Sequence, residues 1–348
     1  MLFSHPTGRR VRGLRAGAVA AVAAIALSSC GTDTTEEETA APSGEGSGAF
    51  PVTIEHAFGS TEITEKPERV VTVGWSDEGT LLALGIVPVG IAESTFGARE
   101  DGLLEWDAEK LEELGGEKPT LISNDDGIPV EQVASLAPDL ILGVQSGLEE
   151  NQYEQLSQIA PTIPYLDKPW QTAWQDQTVA VGRSVGMEEE AQQLVDDTNA
   201  YIDGIAEQHP QFAEKTFAFG TVTQDGQLAF YIDGEPRAEV MKQLGFTPAG
   251  ITEQLDVAEG QFFGTTSMEN ADKVDADVMV MWYNSADARE AAEANPVFQQ
   301  IPAVQDGGYV AFDDDAVAMA MSAVSPLSLP WAVDQFLPDL VKAAEGKA

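Results

Sequence analysis

Cysteine and histidine are almost absent from this chain. Of its 348 residues one is cysteine and three are histidine. Cys30 lies near the N-terminus, so no disulfide framework holds the rest of the chain, and stability has to come from core burial. His5 precedes Cys30, which leaves two distant imidazoles, His56 and His209, and no downstream thiol. That inventory does not easily build a zinc cage or a histidine-based catalytic centre. Basic residues are scarce too: 18 Lys and Arg face 58 Asp and Glu, for a formal net charge of −40. Nucleic acid and anionic lipid are poor partners for such a surface, and a strongly anionic ligand needs a local arginine pocket. Catalytic signatures are also missing. There is no P-loop and no dinucleotide fingerprint. The run Gly74-Trp75-Ser76-Asp77-Glu78-Gly79 lacks the glycine at position 78 that a nucleophile elbow requires. The 58 acids would supply an Asp/Glu-only hydrolase, yet no spacing singles out a catalytic pair.

What is present indicates a folded, exported protein. Hydrophobic residues make up 43% of the chain and six are tryptophan, the profile of a packed core. Arg9, Arg10, Arg12 and Arg15 precede an uncharged, mostly apolar stretch over 16–27, then Leu27-Ser28-Ser29-Cys30. A basic region, a short apolar run and small residues at a cleavage point make a secretory signal, and twelve residues are too few for a mature transmembrane helix. Leu-Ser-Ser-Cys resembles a bacterial lipobox, which implies that Cys30 is lipidated and becomes the mature N-terminus. Arg9-Arg10 also fits a twin-arginine export signal, which leaves the export route open. The signal carries four of the 18 basic residues and none of the 58 acidic ones, so maturation leaves 14 against 58. The polar, acidic segment that follows, rich in Ser, Thr and Gly, cannot bury apolar surface and reads as a flexible tether.

From Pro51 onward short apolar runs alternate with helical patterns. Strands are expected at 70–73, 87–91, 140–142 and 162–166, with a helix over 77–84 closed by Gly85. Residues 170–209 then keep a helical period with no proline, a connector that Gly186 should break or bend. The alternation restarts with strands at 216–220, 228–231, 278–281 and 309–312. A helix over 237–244 closes at Gly245, and a last one covers 326–341 with Pro338 as a disturbance. Strands separated by helices predict an α/β fold with parallel sheets. The expected division is a signal over 1–30, a tether over 31–50, an N-terminal lobe over 51–168, a connecting helix over 169–210 and a C-terminal lobe over 211–348.

One pattern occurs twice. IPVEQVASLAPDLILGV (128–144) and TSMENADKVDADVMVMW (266–282) each place a glutamate near a helix start, an aspartate eight residues later and then four apolar residues. Glu131 with Asp139, and Glu269 with Asp277, are 138 residues apart. Two similarly built lobes would give this pattern, and so would coincidence in an α/β chain.

Ligands of open α/β sheets bind at the carboxyl ends of strands, so the residues just after each strand are the candidates. Among them are Trp75, Gln145, Trp170, Tyr231, Trp282 and Tyr283, rings and polar groups suited either to a small-molecule cleft or to packing of the core. Arg99 and Arg237 stand out because basic residues are so few. Each suits a clamp on a carboxylate, hydroxamate or catecholate oxygen, and each is equally readable as a surface arginine among acids.

Several segments together resemble the iron-siderophore substrate-binding lipoproteins of ABC importers. RVVTV (69–73) with LLALGIVPVG (81–90) is similar to the family's opening strand, helix and second strand. VASLAPDLILG (133–143) and LSQIAP (156–161) are similar to its first-lobe signature. NPVFQQIPAV (295–304) with residues 307–313 is similar to that of its second lobe. The resemblance covers roughly residues 51–341. It implies a class III binding protein, in which two Rossmann-like lobes joined by a long helix hold the ligand between them. It further implies a monomeric, non-enzymatic, extracytoplasmic receptor that is anchored by lipid at Cys30 and serves an ABC permease. Its ligand would be a ferric siderophore whose iron arrives already chelated, so that no protein metal ligand or other cofactor is needed and nucleic acid plays no part. Trp75, Trp170, Tyr231, Trp282 and Tyr283 are then the expected ring surfaces, with Arg99 and Arg237 as oxygen clamps. The acidic surface favours a neutral or cationic hydroxamate over a trianionic catecholate. In related cobalamin-binding proteins one glutamate per lobe pairs with permease arginines, and the positions matching them here are Glu131 and Glu269. Haem or cobalamin is the alternative ligand, with Tyr231 or Tyr283 as a haem axial group. A siderophore hydrolase is the alternative of another class.

Overall fold

The computed structural model describes residues 50–123, 127–255, 257–258 and 261–347, and Ser47–Ala348 forms one compact unit. The signal, Cys30 and the tether through residue 49 lie outside the described residues. A hairpin, β1 (Val52–His56) and β2 (Gly59–Ile63), comes first. There follow β3 (Val70–Thr72), α1 (Asp77–Ala83), β4 (Gly90–Ala92), α2 (Glu105–Leu114), β5 (Thr120–Ile122), α3 (Val130–Ser135), β6 (Leu140–Leu142), α4 (Glu150–Leu156) and β7 (Thr162–Ile163). These strands form one parallel sheet in the order β5-β4-β3-β6-β7.

The chain then enters α5 (Trp174–Ser184) and α6 (Glu188–Gln208). Gly186, at φ 73°, separates them where the sequence places a break, because a left-handed residue ends a helix and glycine adopts it without a Cβ clash. The N–H groups of Gly186 and Met187 turn back to the carbonyls of Arg183 and Gly182 and close α5.

A second sheet is built from β8 (Thr216–Val222), β9 (Leu228–Tyr231), α7 (Pro236–Gln243), β10 (Thr247–Pro248), α8 (Gly250–Glu253), β11 (Phe263–Thr266), a 3₁₀ segment (Met268–Lys273), β12 (Val278–Trp282), α9 (Ala286–Glu293), a 3₁₀ turn (Phe298–Gln300), α10 (Pro302–Gln305), β13 (Tyr309–Phe312), α11 (Asp315–Ser322) and α12 (Ser328–Ala344). Its order is β11-β9-β8-β12-β13, with β10 parallel to the start of β8. The β8–α7–β10 unit repeats β3–α1–β4, and the antiparallel strand β9 is inserted before the helix. Both helices end alike: Gly85 and Ile86 return to Leu82 and Leu81, and Gly245 and Phe246 return to Lys242 and Met241.

Three expectations change. The second strand starts at Gly90 rather than 87, consistent with Pro88 having no N–H to give a ladder. The strand expected over 162–166 is confined to Thr162–Ile163. The last helix starts at Ser328 and continues through Pro338, because Leu329, Val333, Phe336 and Leu340 bury one apolar face whose packing outweighs one missing hydrogen bond.

The aspartates of the repeated pattern have a structural task. Asp139 accepts hydrogen bonds from the backbone N–H of Glu68 and of Arg69, both at 2.8 Å, just before β3. Asp277 accepts from the Thr216 N–H at 2.8 Å, at the start of β8. Each staples the amino ends of two neighbouring parallel strands, β3 with β6 and β8 with β12.

One apolar core spans both sheets' surroundings. Leu104 and Trp106, on and beside α2, pack with Phe217, Phe219, Met319, Leu329 and Phe336. Trp106 meets Trp331 of α12 at 5.4 Å between ring centroids, and Phe96 meets Trp282 edge-on at 5.8 Å. Shared packing of this kind limits relative motion of the two halves.

Candidate ligand cleft

The sequence after β3 makes an abrupt turn. Ser76 has φ 63°, and the Trp75 N–H donates to the Gln145 carbonyl at 2.8 Å, tying the ends of β3 and β6 together. Gly74 permits this approach, since a Cβ there would sit 2.7 Å from the Gln145 oxygen. Trp170, also left-handed at φ 61°, donates its N–H to Ser146 at 3.0 Å. A methyl group at Gly147 would collide with its indole. The outcome is a pair of rings, Trp75 and Trp170, 5.0 Å apart and inclined at 53°. Trp75 is 41% exposed, uncommon for a tryptophan in a packed protein. Left-handed backbone at Trp170 and at Ser76, next to Trp75, is the kind of local cost that functional sites carry.

Buried acids support this turn. Asp77 accepts hydrogen bonds from the Val144 N–H at 2.9 Å and the Gln177 side-chain amide at 2.7 Å. Gln177 also donates to the Trp75 carbonyl and to Ser76. Burial pushes the Asp77 carboxyl up to about 7 against the pull of those bonds. Glu78 and Asp107 are also fully enclosed, and burial raises both, with Asp77 and Glu78 respectively adding to the effect.

Facing the tryptophans is the end of β9 and the start of α7. Tyr231 is buried; its hydroxyl accepts from Trp282 Nε1 at 2.6 Å, and the Arg237 guanidinium carbon lies 4.0 Å above its ring. Glu235 caps α7, accepting from the N–H of Arg237 at 2.8 Å and of Ala238 at 3.3 Å, with Pro236 in the first helical turn. Its Oε1 lies 3.4 Å from Arg237 Nε. The alignment falls short of a hydrogen bond, so the buried Nε–H has no acceptor among the described residues. Burial raises the Glu235 carboxyl above its usual range, and Arg237 and the two backbone donors oppose the rise.

Trp75, Gln145, Trp170, Glu235, Pro236, Arg237, Phe262 and Ser322 line a cavity of about 80 Å³ that opens to solvent. Of the sequence candidates, Trp75, Gln145, Trp170 and Arg237 line it directly, and Tyr231 lies beneath Arg237 with Trp282 bonded to it. Tyr283 is elsewhere: it is buried in a separate core and paired with the Tyr309 hydroxyl at 2.8 Å. Arg99 does not line the cavity; it lies 3.7–4.0 Å from Asp101, Glu105 and Glu112. His56 bonds Thr61 and His209 stacks on Phe212, so neither histidine reaches the cleft. Glu131 and Glu269 are both exposed, the first on a one-and-a-half-turn helix and the second in 3₁₀ turns rather than an α-helix. Sequence reasoning missed Glu235, Phe262 and Ser322. Glu-Pro-Arg was legible as a helix start, but nothing local marked the other two.

The arrangement is suited to holding and orienting a ligand, and among the described residues its lining offers no nucleophile–base pair. Among the described residues no group of three His, Cys, Asp or Glu is placed to hold a metal ion, and no helix is long and apolar enough to cross a membrane.

Comparison with known proteins agrees with this architecture. The probable siderophore-binding lipoprotein YfiY of Bacillus subtilis is 27% identical over 306 residues, covering 84% of this chain and 88% of that protein. The Fe(3+)-citrate-binding protein YfmC of the same organism is 24% identical over 262 residues, covering 74% and 76%. PiaA, an iron uptake ABC transporter substrate-binding protein of Streptococcus pneumoniae solved with ferrichrome, superposes with a TM-score of 0.77 at 32% identity, covering 85% of this chain and all of that one. The periplasmic binding protein family model matches residues 70–316, and the chain belongs to that family, whose members serve transporters by binding rather than by catalysis.

Proposed function

We propose that this protein is an extracytoplasmic, lipid-anchored receptor that captures a ferric siderophore and delivers it to an ABC permease. The observation that carries this reading is the cavity itself, lined by the exposed Trp75–Trp170 pair and by Arg237, whose buried Nε–H lacks an acceptor among the described residues. Rings present flat apolar surface to the organic shell of a chelate, and a guanidinium meets the metal-bound oxygens. The chelate brings its own iron ligands, so a cleft of this composition needs none. Ligand-loaded receptor would dock through Glu131 and Glu269, exposed acids suited to permease arginines. Cys30 would carry the lipid, and the receptor would act as a monomer. The named relatives include proteins for ferric citrate, an anionic complex, and ferrichrome, an uncharged one, so family membership alone leaves the charge of the ligand open.

Tryptophan fluorescence titration with ferrichrome, ferrioxamine B, ferric dicitrate, haem and cobalamin tests the reading. Saturable quenching by at least one ferric siderophore, with haem giving no Soret band, is the expected result. A Soret band with no quenching by any siderophore would overturn it.

A further inference from the structure

We propose that Glu235 sets the charge class of the ligand, so that the cleft takes iron chelates of no net negative charge. The inference rests on the receptor reading above and goes beyond it by naming what the site rejects. Arg237 is the only cationic side chain among the described residues that line the cavity, and Glu235 is the only anionic one. Both are enclosed, with side chains 10% and 3% exposed, so neither is screened by water as a surface pair would be. Glu235 is tethered: two backbone N–H groups of α7 bond one of its oxygens, which leaves the other 3.4 Å from Arg237 Nε. The net charge of the arginine is therefore already balanced by its neighbour before a ligand arrives. The remaining lining groups, Trp75, Gln145, Trp170, Pro236, Phe262 and Ser322, are uncharged. A ligand that offers neutral, polarised oxygens to Arg237 gains hydrogen bonds without a desolvation debt. A polyanionic chelate would sit against a buried carboxylate with one already-neutralised cation to offset it.

Glu235 is a positioning residue in this scheme, and exchanging the charges one at a time separates electrostatics from packing. Binding of ferrichrome (neutral), ferrioxamine B (cationic) and ferric dicitrate (anionic) is measured by quenching for the full chain and for Glu235→Gln, Arg237→Gln and the double variant. Glutamine at 235 keeps an oxygen for the helix cap, and thermal unfolding confirms that each variant is folded. Wild type should prefer ferrichrome or ferrioxamine B to ferric dicitrate. Glu235→Gln should shift the ratio toward ferric dicitrate by about tenfold to a hundredfold, Arg237→Gln should shift it the opposite way toward ferrioxamine B, and the double variant should return near the wild-type ranking. A ranking that the two single variants leave unchanged, or shift in the same direction, overturns the charge role while leaving the receptor reading intact. So does wild-type preference for ferric dicitrate. Absence of quenching by all three chelates overturns both. If Glu235→Gln does not fold, Glu235→Ser, which keeps a capping oxygen without the charge, takes its place and must give the same shift toward ferric dicitrate.

Discussion

Replacing Asp77 by asparagine should flatten the dependence of stability on pH. The carboxyl is fully enclosed beneath the Trp75 turn, and burial raises its pKa from 3.8 to about 7 although the side chain of Gln177 and backbone groups of the 144–145 turn bond to it. A group whose folded pKa lies above its unfolded value contributes stability at low pH and loses it as pH rises through the folded pKa. At pH 5 the folded carboxyl is protonated and the unfolded one ionised, which is worth about 2.5 kcal/mol at ~1.4 kcal/mol per unit; by pH 8 the contribution has vanished. Wild type should therefore lose about 2.5 kcal/mol more than Asp77→Asn between pH 5 and pH 8. Asparagine also disturbs the bonds to Val144 and Gln177, but that cost is the same at every pH and leaves the slope unaffected. Relief of general negative repulsion on acidification is common to both proteins and cancels in the difference. Asp77 also raises Glu78, so its removal eases that neighbour's titration in the same direction. Urea unfolding followed by tryptophan fluorescence at several pH values measures the slopes. Parallel curves for the two proteins would refute the reasoning, whatever their offset.

Trp170→Ala should weaken siderophore binding about tenfold or more, because it removes half of the ring pair, while unfolding midpoints move little. Titration and thermal melts on the same samples check this. Asp277→Ala removes the acceptor of the Thr216 N–H and hydroxyl and should cost about 1–2 kcal/mol in urea unfolding, with ligand affinity unchanged. Glu131→Ala combined with Glu269→Ala should abolish iron uptake by cells and leave the affinity of the isolated receptor as it was; a loss of affinity would argue against docking. Cys30→Ser should release the protein from the membrane fraction, read by fractionation and mass spectrometry of the mature N-terminus.

The alternation of apolar runs and helical periods was enough to place β8, β9, β12 and β13 within one or two residues and to break the connector at Gly186. Some short strands escaped it. β6, of three residues, shows as a fully buried apolar run, whereas β5, also three residues, begins on an exposed threonine, β10 has two residues with a proline, and β11 carries glycine and threonines in place of an apolar run. In the cleft, Trp75, Trp170 and Arg237 were legible because strand ends and rare cations are visible in the chain. Tyr283 was misplaced for a physical reason. Successive residues leaving a strand point to opposite faces, so the ring of Tyr283 packs in a different core from that of Trp282. Trp282 bonds Tyr231 and Tyr283 bonds Tyr309 on the other side. Acids in the first turn of a helix normally sit in water with the helix dipole, and for that reason the burial of Asp77 and Glu78 left no trace in the sequence.

The repeated glutamate and aspartate separate into two kinds of residue once their surroundings are known. Asp139 and Asp277 precede β6 and β12 and bind the backbone at the amino ends of β3 and β8. The carboxyl ends of the same strands lead to Trp75, Gln145 and Trp282. An aspartate at one end of a parallel pair thus fixes the pairing whose other end presents the cleft, since a slip of one residue would turn every side chain over. Among the described residues the side chains of Glu131 and Glu269 make no comparable bond to a strand end. Their side chains are exposed in segments whose secondary structure differs between the two halves, six residues of α-helix in one and 3₁₀ turns in the other. The same residue type at the same offset, exposed in unlike local structure, is what the proposed docking through both halves would use.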